Sequence, residues 1–208
     1  RTVTSAHRIC TLSASTRTDL LQRFPHIRPE LVTTVLAGPV HAHTPGPERA
    51  EGSVLCVGTL CPRKNQLRLI QAHRKLPEAL RRAHPLIIAG GRGWGDAAIL
   101  KEIERTEHVR WAGYVADAGL EALYADAAVI ACPSLYEGFG LPALTALQRG
   151  IPVLTADRGS LKEVVGDAAV LVDPLSSVSI MEGLEHLLTD TALRTRLRNA
   201  GMQQAEQF

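Results

Sequence analysis

From residue 53 onward the chain alternates short apolar runs with segments of helical period, and this narrows the fold more than any other feature. Residues 54–57, 86–89, 108–111, 128–131, 152–155 and 169–172 read as strands. Their apolar residues run on without a polar partner at every second place, the pattern of parallel strands buried on both faces. Between them, Leu67, Leu69, Ile70, Ala72 and His73, then residues 97–103, 120–124, 144–147 and 178–188, repeat at helix spacing. Strand–helix alternation predicts an α/β fold: a doubly wound parallel sheet with helices on both sides. Gly90-Gly91, Gly113, Gly150 and Gly166 punctuate the element ends. Residues 190–208 read as a polar helix carrying Arg194, Arg196 and Arg198.

Residues 1–50 follow another pattern. A strand over 7–12, a helix over 15–24 with a Ser or Thr cap and a strand over 31–36 lead into a stretch rich in Pro and Gly. One strand–helix–strand unit cannot enclose a core, so it must lean on the main domain or on further chain. The chain divides into 1–38, a linker over 39–52 and a domain over 53–208. Net charge is +2, which gives no reason to expect nucleic-acid binding. No apolar run is long enough to span a bilayer, and Arg1-Thr2-Val3-Thr4 leads into no signal-peptide core. Cys10, Cys56 and Cys132 lie in apolar runs and read as small core residues. With Cys61 they form no metal-spaced pair, so a reducing, cytoplasmic compartment and no metal are expected.

Three segments carry chemistry. Cys132-Pro133-Ser134-Leu135-Tyr136-Glu137-Gly138-Phe139-Gly140-Leu141-Pro142 joins a strand end to a helix start, where free backbone N–H groups attract anions. In it Glu137 reads either as an acceptor for sugar hydroxyls or as a surface residue in a turn. Phe139 between two glycines argues for a loop of fixed shape. Arg63-Lys64 follow a strand end and the turn at Gly58, and read as phosphate ligands or as a solvated charge pair. Gly90-Gly91-Arg92-Gly93-Trp94-Gly95 does not match the dinucleotide fingerprint and reads as a flexible loop bordering the same crevice. Ser160 and Glu163 have the spacing of a capping box, so Glu163 reads as structural, with contact between this loop and the ligand as the lesser alternative. The eight histidines are scattered, and none is assigned a catalytic role.

Together, residues 57–65, Gly93-Trp94, Gly113-Tyr114-Val115, residues 133–142 and residues 166–169 resemble the C-terminal, donor-binding half of retaining glycosyltransferases of family four, which have the GT-B fold. The resemblance covers residues 53–208, and its subgroup is that of bacterial mannosyltransferases of polysaccharide biosynthesis. Residues 1–38 resemble the last unit of the family's acceptor domain. The resemblance implies that Arg63 and Lys64 neutralise the donor diphosphate and that Glu137 binds donor sugar hydroxyls. It implies that Gly138, Phe139, Gly140 and Leu141 offer N–H groups to sugar and phosphate, with Gly58 and Thr59 in the same donor site. Tyr114 and Val115 would meet the nucleobase. It implies no cofactor or metal, and a nucleoside diphosphate sugar as donor, GDP-mannose ahead of a UDP-sugar. The acceptor would be a glycan or glycolipid held by an acceptor domain mostly outside this chain, with peripheral contact at the inner membrane face.

Two positions depart from that pattern. The family's paired glutamates are spaced E-x7-E, and the second holds the ribose; here that place is Thr145, which can give one hydrogen bond where a carboxylate accepts two. Many relatives carry Arg after the first-loop glycine, where this chain has Thr59, leaving Arg63 to supply the charge. Three alternatives stay open: a non-catalytic docking half, a relative of nucleotide-sugar epimerases, and a doubly wound domain for another ligand.

Overall fold

The computed structural model describes residues 6–38, 45–47 and 49–208. Of the linker expected over 39–52, residues 39–44 and 48 lie outside the described residues.

The main body is a six-stranded, all-parallel sheet. Its strands are β3 (Ser53–Val57), β4 (Leu86–Ala89), β5 (Val109–Gly113), β6 (Ala127–Cys132), β7 (Val153–Ala156) and β8 (Val170–Val172), in spatial order β5-β4-β3-β6-β7-β8. Each falls within a residue or two of its sequence reading. The connecting helices are α2 (Gln66–Lys75), α3 (Glu78–Ala83), α4 (Ala97–Glu104), α5 (Asp117–Asp126), α6 (Leu141–Gln148), α7 (Gly159–Val165), α8 (Ser177–Thr189) and α9 (Thr191–Ala205). The sheet is the expected doubly wound one, and its order reverses between β3 and β6.

Successive residues of each strand serve opposite faces. Val54, Cys56, Val129 and Ala131 pack with Leu69 and Ile70 of α2, Ile99 of α4 and Leu184 and Leu187 of α8. Leu55, Ile130 and Val153 pack with Tyr124 of α5, Leu144 and Leu147 of α6 and Val164 of α7. Side chains such as Leu55, Ile70, Ile130 and Leu144 are fully buried, each stabilising the fold by about 1.5–3 kcal/mol. The last helix is less polar in its packing than in its sequence. Leu197 enters one face of the core and Ala205 the other. Arg194 is buried and donates to the carbonyls of Leu187 and Leu188 at 3.0 and 3.1 Å, closing the C-terminal end of α8.

Several readings change. Helix α3 was not expected; its six residues are too few for a period to register. The Gly90–Gly95 stretch is no free loop. Gly58 N–H donates to Ala89 and Leu60 N–H to Gly91, so the pairing of β3 with β4 continues past both strand ends. A Cβ at Gly90 would lie 2.2 Å from the Gly58 carbonyl oxygen, so only glycine fits there. Cys10 is exposed, not a core residue, because its strand belongs to a small separate sheet. Cys56, Cys61 and Cys132 are buried, and burial pushes the Cys56 thiol up to about 12.

That small sheet pairs β1 (Ile9–Thr11) with β2 (Val32–Thr34) in parallel, with α1 (Ala14–Arg23) between them. Ser13 caps α1, its Oγ accepting from Thr16 N–H at 3.0 Å. No residue of α1 is buried, and Leu12, Val35 and Leu36 are exposed; Ile27 and Val32 are the unit's buried apolar side chains among the described residues, too few to make a core of its own. It leans on the main domain through α1 and α7.

Candidate active site

The loops that follow β3 and β6 leave adjacent carboxyl ends at the middle of the sheet, where the strand order reverses. After β3 the chain passes Gly58 into one turn of 3-10 helix, Pro62–Lys64, and then into α2. After β6 it runs through Pro133 to Gly140 into α6. Leu135 N–H donates to the Arg63 carbonyl at 2.8 Å. Asn65 Nδ2 donates to the carbonyls of Pro133 and Pro174 at 2.8 and 2.7 Å, joining the loops after β3, β6 and β8. Asn65 is buried and left-handed (φ 62°, ψ 25°), a conformation that asparagine tolerates better than most residues.

Glu137 is clamped between the two cations. Lys64 Nζ lies 2.6 Å from Oε1 and Arg63 Nη1 lies 2.8 Å from Oε2. The same Arg63 nitrogen donates to the Tyr136 carbonyl at 2.7 Å. Their side chains are unequally exposed: 11% for Glu137, 15% for Lys64 and 40% for Arg63. Burial pushes the Glu137 carboxyl up, but the Lys64 charge and hydrogen bonds from Lys64, Ser134 and Arg63 outweigh it and hold the group below the usual carboxylate range. Gly58 makes room for this clamp. A Cβ there would sit 2.9 Å from Lys64 Cε, and its φ of +148° suits glycine.

The backbone beyond Glu137 is fixed as well. Ser160 Oγ donates to the Glu137 carbonyl at 2.6 Å, and Thr16 Oγ1 donates to the Gly138 carbonyl at 3.2 Å. Phe139 turns inward, buried, with its ring edge-to-face with Phe208 at 5.5 Å. Ala143 and Leu144 N–H return to the Gly140 carbonyl. The N–H groups of Gly138, Phe139, Gly140 and Leu141 donate to no acceptor among the described residues. The site thus offers one carboxylate, two cations and a row of backbone donors at a helix start, a set suited to a ligand with hydroxyls and phosphates.

Among the described residues, no hydrogen bond or ion pair joins Thr59, Thr145, Val115 or Tyr114 to this cluster. Thr59 is exposed, and its carbonyl accepts from Gln66 Nε2 at 3.0 Å. Thr145 is half-buried on α6. Val115 packs at the edge of the core, and Tyr114 projects from the loop after β5, 83% exposed. The capping box is not formed. Helix α7 has Arg158 at its cap position without a side-chain bond. Ser160 serves Glu137, and Glu163 accepts from Ala14 and Ser15 N–H at 2.9 and 3.1 Å, capping α1 instead of its own helix. Asn65, Ser134 and Thr16 have no role in the sequence reading, which takes Ser160 as a helix cap. Asn65, directly before a helix and after two cations, carried the one local signal, an Asn where a left-handed residue was needed.

Residues 45–204 match the family described as glycosyl transferases group 1. The chain belongs to this family. Among the curated members it resembles, the O-antigen chain mannosyltransferase B of Escherichia coli is 37% identical over 98% of this chain and 57% of its own length. The serotype-specific mannosyltransferase WbdA of Escherichia coli is 30% identical over 74% of this chain and 20% of its own. The chain therefore spans a little over half of the first relative and a fifth of the second. In shape, this group 1 glycosyl transferase chain matches Anabaena HepE, crystallised with UDP and glucose, at a TM-score of 0.83 and 22% identity, over 97% of this chain and 59% of that one. The architecture is that of the C-terminal half of the GT-B fold. Among the described residues no helix is long and apolar enough to cross a membrane.

Proposed function

We propose that the chain is the donor-binding part of a hexosyltransferase that moves mannose from GDP-mannose to an acceptor hydroxyl with retention of configuration. The observation that carries this is the clamp of Arg63 and Lys64 on Glu137 beside backbone donors that meet no acceptor among the described residues. A diphosphate entering the site takes up the charge of Lys64 and Arg63, and Glu137, released, accepts hydrogen bonds from sugar hydroxyls. As the glycosidic bond breaks, negative charge grows on the diphosphate. Two cations and the N–H groups around Gly140 stabilise that charge more than they stabilise the bound donor, which is the condition for catalysis. In this reading no metal is needed, Tyr114 and Val115 border the base, and Thr145 gives the ribose one hydrogen bond. Mannose is favoured because both curated relatives above are named mannosyltransferases, and guanosine is carried by the subgroup resemblance alone.

The acceptor, a glycan or glycolipid, is assigned to an acceptor domain of which residues 1–38 are the last unit. The exposed Leu12, Val35 and Leu36 are the surface such a domain would cover. Without it the chain binds donor but transfers nothing. Calorimetric titration with GDP, UDP, ADP and GDP-mannose tests the reading. Binding of GDP and GDP-mannose is the expected result; no heat with any of the four refutes it.

A further inference from the structure

The donor loop is held by a closed circuit of hydrogen bonds that runs through α1. Ser160 Oγ bonds the Glu137 carbonyl, and Glu163, one turn further along α7, accepts both Ala14 N–H and Ser15 N–H. From α1 the circuit returns: Ser13 Oγ donates to Thr16 Oγ1 at 2.9 Å, and Thr16 Oγ1 donates to the Gly138 carbonyl. Glu163 and Ala14 stand 149 residues apart in the chain.

The consequence follows from peptide geometry. In a trans peptide the C=O and the N–H of the next residue point in opposite directions, and no cis bond occurs among the described residues. Tying the Glu137 carbonyl to Ser160 therefore aims the Gly138 N–H the opposite way. Tying the Gly138 carbonyl to Thr16 aims the Phe139 N–H likewise. These are two of the donors that meet no acceptor among the described residues. We infer that Glu163 is a positioning residue: by capping α1 it fixes Thr16 against Gly138, and the pair of helix ends aims the Gly138 and Phe139 amides at the transferred sugar. This rests on the donor-binding reading above. It separates two tasks within the site. Arg63 and Lys64 take the diphosphate, whereas the amides set by Glu163 and Thr16 take the sugar beside Glu137.

Glu163→Gln and Thr16→Val test the inference by calorimetry with GDP and with GDP-mannose. Gln keeps one acceptor oxygen for two N–H groups; Val keeps the α1 cap and removes only the hydroxyl. Each variant is expected to lose roughly tenfold in GDP-mannose affinity, the scale of a misaimed hydrogen-bond donor, with GDP affinity within about twofold. The double variant is expected to bind no more weakly than the worse single, because both act along one path. An equal loss for both ligands, no loss, or losses that multiply would overturn it. Hydrogen exchange on the free chain gives a reading that needs no ligand. In Glu163→Gln the Ala143 and Leu144 amides, bonded to Gly140, should exchange faster while Val54 and Leu86 in the sheet do not change. Unchanged Ala143 and Leu144 overturn the inference. Should the wild-type chain bind neither ligand, the donor reading fails and this exchange comparison alone decides whether Glu163 holds the loop.

Discussion

Replacing Glu137 by Gln separates the two jobs of its carboxylate. In the free chain it neutralises Lys64 at 2.6 Å and Arg63 at 2.8 Å, and its backbone stays pinned by Ser160, so the substitution removes charge without moving the loop. Removing one partner of a fully buried ion pair costs about 3–5 kcal/mol. This pair reaches water, with Arg63 40% exposed, so about 2 kcal/mol is expected. For a domain of this size that lowers Tm by roughly 4–8 °C. Diphosphate binding should move the other way. The cations no longer have to leave a carboxylate, and GDP affinity should rise by about 1–2 kcal/mol, a factor of roughly 5–30. GDP-mannose should gain less, because its sugar loses a charged acceptor. Thermal unfolding by circular dichroism and paired titrations read both effects. Weaker GDP binding in the variant would show that the carboxylate does not compete with phosphate, and the reasoning would fail.

Other outcomes follow from the same structure. Gly90→Ala places a Cβ 2.2 Å from a backbone oxygen and should cost about 3 kcal/mol or more, whereas Gly91→Ala meets nothing within 4 Å and should stay within about 0.5 kcal/mol; equal denaturant midpoints would contradict this. His73 is buried and its Nε2–H donates to the His84 carbonyl, leaving Nδ1 unpartnered, and burial lowers its pKa. The unfolded chain therefore takes up a proton that the folded chain refuses as pH falls through about 6.5, so stability is intact above that pH and falls below it by up to about 1.4 kcal/mol per unit. His73→Gln should flatten the drop in urea midpoint between about pH 7.5 and 5.5, and an undiminished drop would point to another group. Of the four cysteines, only Cys10 is exposed, so a thiol reagent should modify one site in the native chain and four in denaturant. Fast modification of a second native thiol would refute the burial of at least one of Cys56, Cys61 and Cys132.

The strands were legible because a buried parallel strand writes its burial into consecutive residues. Val54–Val57 and Ala128–Ala131 could hardly be read as anything else, and the helices that cover them show their period directly. Arg63, Lys64 and Glu137 could be picked out singly, since each follows a strand end of the right kind. Their meeting could not. Nothing within a few residues of Glu137 says that its charge is met by side chains 73 and 74 positions earlier. Glu163 shows the limit most plainly. Its spacing from Ser160 spells a local cap, yet both side chains bond elsewhere, because the fold brings other partners to them: a loop carbonyl for one and the first two N–H groups of α1 for the other.

The sequence alone determined the class of fold, the two loops that matter and the kinds of charge they carry, because apolar period and turn residues act over a few positions. The tertiary structure decided which of those charges meet, which amides stay unpaired and which way they point. Those depend on contacts between residues far apart in the chain, set only when the sheet is assembled and α1 is seated on α7.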